Sequence, residues 1–190
     1  MAIDAEVISK INAIKVRSEQ LYSTSEVEQA IGLVGQKMQA ELADKNPILL
    51  AVMKGAVVFF GKLATYCDFP LQLDYIHATR YKDNTSGGQL DWLVTPSISL
   101  KNRHVVIVDD ILDEGITLKA IVEYCEQQGA SKVYTSVLVD KNRKRAVNGL
   151  ARADFTALTI ENRYLFGYGM DYQGYLRNVA AICAIDPKDM

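Results

Sequence analysis

The sequence predicts an α/β protein with a mainly parallel sheet flanked by helices, on three observations. The run ILLAVM, Ile48 to Met53, is continuously apolar, the pattern of a strand covered on both faces. A second apolar run, Val105 to Val108, is followed by a helical stretch and a third run, Lys132 to Val139. Strand, helix and strand within that span form a βαβ unit, so the two strands are expected parallel with a right-handed crossover.

The remaining elements follow in chain order. The stretch to about Ala43 reads as two helices, with Ser23 or Ser25 as a cap before Glu26 and Glu28, and with Val27, Ile31, Val34 and Met38 at helical spacing. After the first strand, Ala56 to Tyr66 carries Phe59, Phe60 and Leu63 and should be a helix; Leu71 to Ala78 reads as a strand. Tyr81 to Gln89 is polar and contains Gly87-Gly88, the composition of a loop, and apolar residues return at Leu90, Trp92 and Leu93. Strand His104 to Val108 leads to helix Thr117 to Gln128, with Leu118, Ile121, Val122 and Cys125 as its buried stripe and Gly129 as its stop. FTALTI and AAICAID are short strand-like runs separated by a Gly- and Tyr-rich segment, expected to form a hood over one sheet edge. A single domain, 1–190, is the expectation, with a core over about 45–155 and a hood built from about 156–190 with the N-terminal region.

Composition narrows the classes. With 21 basic and 23 acidic residues, net charge −2, no global field draws the chain to nucleic acid or an anionic membrane, and no run approaches the roughly 18 apolar residues of a membrane span. The start mixes charges through an amphipathic pattern without a signal-peptide core. Cys67, Cys125 and Cys183 show no metal-ligand spacing and, being odd in number, cannot all pair within one chain; they read as reduced core residues of a cytoplasmic protein.

The chemistry concentrates in HVVIVDDILDEGITL, His104 to Leu118. Asp109, Asp110 and Asp113 gather at the carboxyl end of a buried strand, where open α/β sheets bind ligands. Such carboxylates repel one another and need hydroxyl donors, a cation or solvent in compensation. Beyond them Gly115 permits close backbone approach, Thr117 supplies a hydroxyl, and the helix start offers free N–H groups to an anion. Together these features suit a phosphorylated sugar. Read locally, the same residues also describe an ordinary acidic turn with Asp and Thr as caps.

The segment resembles the phosphoribosyl-pyrophosphate signature of type I phosphoribosyltransferases, and in particular of the hypoxanthine-guanine enzymes. The resemblance implies a type I phosphoribosyltransferase-like core and transfer of a 5-phosphoribosyl group from phosphoribosyl pyrophosphate to hypoxanthine or guanine, with purine nucleotide and pyrophosphate as products. It assigns Asp109 and Asp110 to the ribose hydroxyls, and Asp113, Glu114, Gly115, Ile116 and Thr117 to the 5′-phosphate loop. Glu114 stands where Thr or Ser is common and Ile116 where a polar residue is frequent. Asp113 is also implied as the group that hydrogen-bonds purine N7 and handles its proton, the catalytic base.

Three further segments match in order. Met53-Lys54-Gly55-Ala56 opens a helix after the first strand, and the resemblance makes Lys54 and Gly55 a pyrophosphate loop, often with a cis peptide before the lysine; alone, a Lys-Gly at a strand end is common. LVDKNRKR places Lys141 beyond the third strand as the lysine that meets the purine 6-oxo group, leaving Arg143, Lys144 and Arg145 as a solvated basic turn. NRYLFGYGMDYQGYLRN implies Tyr164 stacking on the base, Leu165 touching its edge through the backbone, Asp171 near magnesium and Arg177 on pyrophosphate; without the resemblance, aromatics in such a run read as core or lid packing. Magnesium is the implied cofactor, with Asp109 and Asp110 also near it. Arg80-Tyr81 stands where many relatives carry Ser-Tyr in the loop that closes over the site. The implied partners are the purine base, phosphoribosyl pyrophosphate and the nucleotide product, in a homodimer or homotetramer.

Two other classes share parts of this pattern. A non-catalytic sensor of phosphoribosyl pyrophosphate would carry a basic DNA-binding appendage, which the sequence does not contain. A response-regulator receiver would want its paired aspartates near the N-terminus, with later Asp and Lys positions that this spacing does not supply.

Overall fold

A computed structural model describes residues 5–80 and 90–189. Helix α1 (Ala5–Arg17) leads through strand β1 (Glu19–Tyr22) to α2 (Thr24–Leu42). Then follow β2 (Ile48–Val52), α3 (Val57–Thr65), β3 (Gln72–Arg80) and β4 (Leu90–Val94). The βαβ unit is β5 (His104–Leu112), α4 (Ile116–Gln127) and β6 (Lys132–Asn142); β7 (Phe155–Glu161), β8 (Leu165–Phe166), β9 (Ile182–Ala184) and a 3-10 turn (Pro187–Asp189) complete the chain.

Six strands form one sheet in the order β4-β3-β2-β5-β6-β7, parallel throughout except for β4. Its central strands are buried on both faces, as continuous apolar runs require: every residue of β2 and Val105 to Val108 of β5 lies out of solvent. Helices α2 and α3 cover one face through Val27, Ile31, Met38, Phe59 and Leu63, and α4 covers the other through Leu118, Ile121 and Cys125. The three cysteines are unpaired and buried; burial lifts the Cys67 thiol to about 11 and the Cys125 thiol to about 12. Helix α2 starts in a capping box, with Glu26 N–H donating to the Ser23 hydroxyl and the Glu26 carboxylate accepting from Ser23 N–H.

Three differences from the sequence reading bear on the site. Strand β5 continues through Asp109 and Asp110 to Leu112, and β6 runs on to Asn142, so both aspartates and Lys141 sit within strands. The chain returns at Leu90 as an antiparallel edge strand, β4, too short to read as one. Strand β1, between the two N-terminal helices, has no signal in the local sequence because its partner is remote: it pairs with β9, which pairs with β8, in a separate three-stranded antiparallel sheet. That sheet and α1 enclose Ile11, Ile14, Phe166 and Cys183. No described helix is long and apolar enough to cross a membrane. The loop expected over Tyr81 to Gln89 lies outside the described residues; Arg80 is the last residue of β3.

Candidate active site

The carboxyl ends of β2, β5 and β6 define the site. Register places Leu112 of β5 opposite Asp140 of β6, so the next residue of each chain, Asp113 and Lys141, emerge side by side. The Lys141 ammonium donates to Asp113 Oδ2 at 3.0 Å, and Lys141 is almost fully buried. The other carboxylate oxygen, Oδ1, accepts from Arg143 at 2.7 Å. Burial favours the neutral acid at Asp113, but Lys141 and Arg143 outweigh it and hold the carboxyl below the usual range.

The sequence reading places Arg143, Lys144 and Arg145 in a solvated surface turn; Arg143 and Lys144 are exposed there, whereas Arg145 is drawn inward. Arg143 is the second cation on Asp113, with Glu114 4.0 Å from its other nitrogen. Arg145 turns inward: it donates to the carbonyls of Asp113 (2.7 Å), Lys141 (2.8 Å) and Leu112 (3.3 Å) and pairs with the Asp140 carboxylate. A single planar guanidinium thus ties the end of β5 to the end of β6. The signal was absent from local sequence because the partners are carbonyls, which every residue has. Lys144 is exposed as expected.

A cleft of about 380 Å³ runs along the ends of β2 and β5, lined by Lys54 and Gly55 on one side, Asp109, Asp110 and Asp113 to Gly115 beneath, Thr117 beyond, and Asp171 and Arg177 from the three-stranded sheet's connection. Ile116 starts α4 and lines neither this cleft nor the adjoining one. Gly115 adopts φ +80° immediately before the helix, and a Cβ there would meet the Leu150 backbone. The helix begins without a side-chain cap, at the end of the cleft that Gly115 and Thr117 line. The Met53-Lys54 peptide is cis. A Cβ on Gly55 would overlap the Asp110 carboxylate, so the Lys54-Gly55 turn lies directly against the acidic pair.

Asp110 N–H donates to Asp109 Oδ1 at 2.9 Å. Burial, and then the neighbouring Asp110 charge, push the Asp109 carboxyl well above its usual range; burial raises Asp110 as well, opposed in part by Arg177. A carboxylate pair in this condition gains from donors or a cation. Asp171 bonds Arg177 at 2.6 Å and accepts from Gly174 N–H, while Arg177 also donates to Gly169 O at 2.6 Å. An adjoining pocket of about 290 Å³ shares Asp110, Asp113 and Asp171 with the cleft and adds Lys141, Tyr164, Leu165 and Met170. Tyr164 is half exposed, meets Tyr172 edge-on with 5.9 Å between ring centres, and lines this pocket.

A polar cleft of carboxylates, a helix start and two cations beside an aromatic pocket floored by a lysine is the arrangement the motifs imply. The family described as "Phosphoribosyl transferase domain" matches residues 17–172. The chain belongs to this phosphoribosyltransferase family. It is 33% identical over 163 residues to hypoxanthine-guanine phosphoribosyltransferase of Streptococcus pneumoniae, covering 85% of this chain and 89% of that one. It is 30% identical to hypoxanthine-guanine-xanthine phosphoribosyltransferase of Tritrichomonas foetus, over 85% of this chain and 88% of the relative. Among solved structures, hypoxanthine phosphoribosyltransferase of Staphylococcus aureus superposes with a TM-score of 0.84 at 25% identity, over 90% of this chain and 92% of that chain. The phosphoribosyltransferase sheet, its βαβ unit and the acidic strand end are thus found in this chain in the order the sequence predicts.

Proposed function

We propose that this phosphoribosyltransferase serves purine salvage, joining hypoxanthine or guanine to the ribose of phosphoribosyl pyrophosphate to give the nucleotide and pyrophosphate. The observation that carries the reading is the Lys141–Asp113 pair at the junction of the two cavities. A base in the pocket, stacked on Tyr164 and edged by the Leu165 backbone, would present its 6-oxo group to Lys141 and N7 to Asp113. The reactive N9 then faces the cleft.

In the cleft, Asp109 and Asp110 accept from the ribose hydroxyls, which compensates their burial. The amides from Glu114 to Thr117 and the Thr117 hydroxyl hold the 5′-phosphate. Attack of N9 on the anomeric carbon expels pyrophosphate through an oxocarbenium-like transition state, so negative charge grows beside Lys54 and Arg177, already placed to receive it. Asp113 is the base for the N7 proton.

The donor set fits magnesium. Asp109, Asp110 and Asp171 are hard oxygen ligands that line one cleft. That combination suits a cation held by one or two carboxylates and by substrate phosphate oxygens. When bound it would neutralise charge on the leaving pyrophosphate.

The whole chain is the functional unit in this reading, with a core over about 45–155 and the three-stranded sheet as hood, in a cytoplasmic homodimer or homotetramer. Leu73 and Tyr75, half exposed on one face of β3, support the assembly.

Base choice follows from donor counting. An ammonium has no acceptor, so it satisfies a 6-oxo group and opposes the 6-amino group of adenine. Sites built around such a bond discriminate by up to roughly 10⁴. Steady-state rates with phosphoribosyl pyrophosphate, magnesium and each base should show hypoxanthine and guanine used well, xanthine less and adenine negligibly. Equal use of adenine and hypoxanthine would remove Lys141 from the base.

A further inference from the structure

The purine reading gives Lys141 two partners for one ammonium: Asp113 Oδ2, which it holds at 3.0 Å, and the 6-oxo group of the base. If Lys141 were the sole cation on Asp113, drawing it toward the base would strand a half-buried carboxylate, and that cost would come off base affinity. The structure supplies a second cation. Arg143 lies in the turn directly after β6, its own N–H donating to Lys141 O at 2.8 Å, which ties it to the strand end that carries the lysine. Its guanidinium reaches Asp113 Oδ1 from the solvent side at 2.7 Å, while Lys141 approaches Oδ2 from within; the side chains are 33% and 11% exposed.

We propose that Arg143 is a positioning residue for the base-binding step: it is the standing counter-ion of Asp113, which frees Lys141 to pass its hydrogen bond to the purine 6-oxo group. This rests on the roles given above to Lys141 and Asp113. A carboxylate offers about four lone-pair sites, so Oδ1 can keep Arg143 while the purine N7 proton takes a site that Lys141 vacates. A guanidinium suits the standing role because its planar fork holds a carboxylate in fixed orientation and is weakly hydrated, whereas the flexible, rotatable ammonium suits the exchange. The other charged groups of the base pocket, and Glu114 and Arg145 beside it, do not substitute for it. Glu114 is an acid, Arg145 spends itself on carbonyls and on Asp140, and Asp110 and Asp171 share the pocket wall as acids.

The test is kinetic, on the intact chain with magnesium, phosphoribosyl pyrophosphate and hypoxanthine. Arg143→Gln should raise KM for hypoxanthine roughly 5- to 20-fold, the scale of one charged hydrogen bond, with a smaller change in kcat and no change in KM for phosphoribosyl pyrophosphate. Arg143→Lys, which keeps the charge, should recover most of the loss. In a Lys141→Ala background Arg143→Gln should add less than about twofold, because no lysine is left for Asp113 to hold back. A structural role would move both KM values and would add independently of Lys141. The proposal is overturned if Arg143→Gln leaves KM for hypoxanthine unchanged, shifts both KM values together, or acts additively with Lys141→Ala. Failure of the underlying reading would look different: Lys141→Ala or Asp113→Asn alone would then leave near-normal activity.

Discussion

The two neighbouring strand ends of the site are built on opposite plans. The end of β5 is acidic and carries its chemistry in consecutive residues, Asp109 to Thr117, that would be costly to bury for any other purpose. The end of β6 is basic, and its residues mean nothing until they meet the other strand: Lys141 and Arg143 acquire a partner in Asp113, and Arg145 acquires one in the carbonyls of Leu112 and Asp113. A cluster of like charges on a buried strand calls for compensation by donors, a cation or solvent. A basic turn announces nothing, because its default state in water carries no penalty.

The comparison breaks most sharply at Asp113, where the two plans meet. Asp113→Asn should keep the fold and lower turnover by roughly 10² to 10⁴, the usual contribution of a general acid or base. Near-normal turnover by a folded variant would leave the β5 end as a binding surface only. A smaller effect should come from the basic side. Arg145→Met removes the donors that join the strand ends and the cation on the Asp140 carboxylate, so unfolding by denaturant should show a loss of about 1–3 kcal/mol. Lys144→Ala, one position earlier but exposed, should stay within about 0.5 kcal/mol of the parent. Equal effects would return the turn to the surface role its composition implies.

A further expected effect has the opposite sign. Asp109 is held above its unfolded value, chiefly by burial and then by Asp110. Between the unfolded and folded values the unfolded chain therefore binds fewer protons, and this residue makes stability fall as pH rises through that window. Asp113, held below its unfolded value, contributes stability that is present above the ordinary carboxylate pKa and is lost as pH falls through the depressed one. At neutral pH and without substrate, Asp109→Asn should thus raise the melting temperature, by about 2–4 °C if it relieves ~1 kcal/mol, while Asp113→Asn lowers it. Thermal scans at neutral and mildly acidic pH would show whether the Asp109 gain disappears on acidification, as this sign requires.

Much of this was legible in the residues. Apolar runs located β2, β5 and β6 because both faces of a parallel sheet are buried, and the motif from Asp109 to Thr117 located the cleft because its spacing is fixed by one strand-to-helix turn. Lys54, Gly55, Lys141, Tyr164, Leu165, Asp171 and Arg177 line the two cavities as the matching segments implied. Strand β1 was not legible, since four residues with half-exposed side chains have no periodicity of their own and are strands only because β9 is there. The inward turn of Arg145 was invisible for the related reason that backbone acceptors leave no trace in side-chain patterns.

The pairing of β1 with β9 has a consequence for the order of assembly. Its ladder joins Glu19 to Ala184, and beside it Arg17 bonds Asp189 across 172 positions of chain. Contacts of such separation form late, after the local βαβ unit has had time to collapse. During synthesis from the N-terminus, the acidic strand end and its phosphate loop can be in place while β1 still waits for its partner and Asp171 and Arg177 have yet to emerge. The protein would therefore hold the acidic strand end and the Lys54-Gly55 turn before Asp171 and Arg177 are available to complete the cleft.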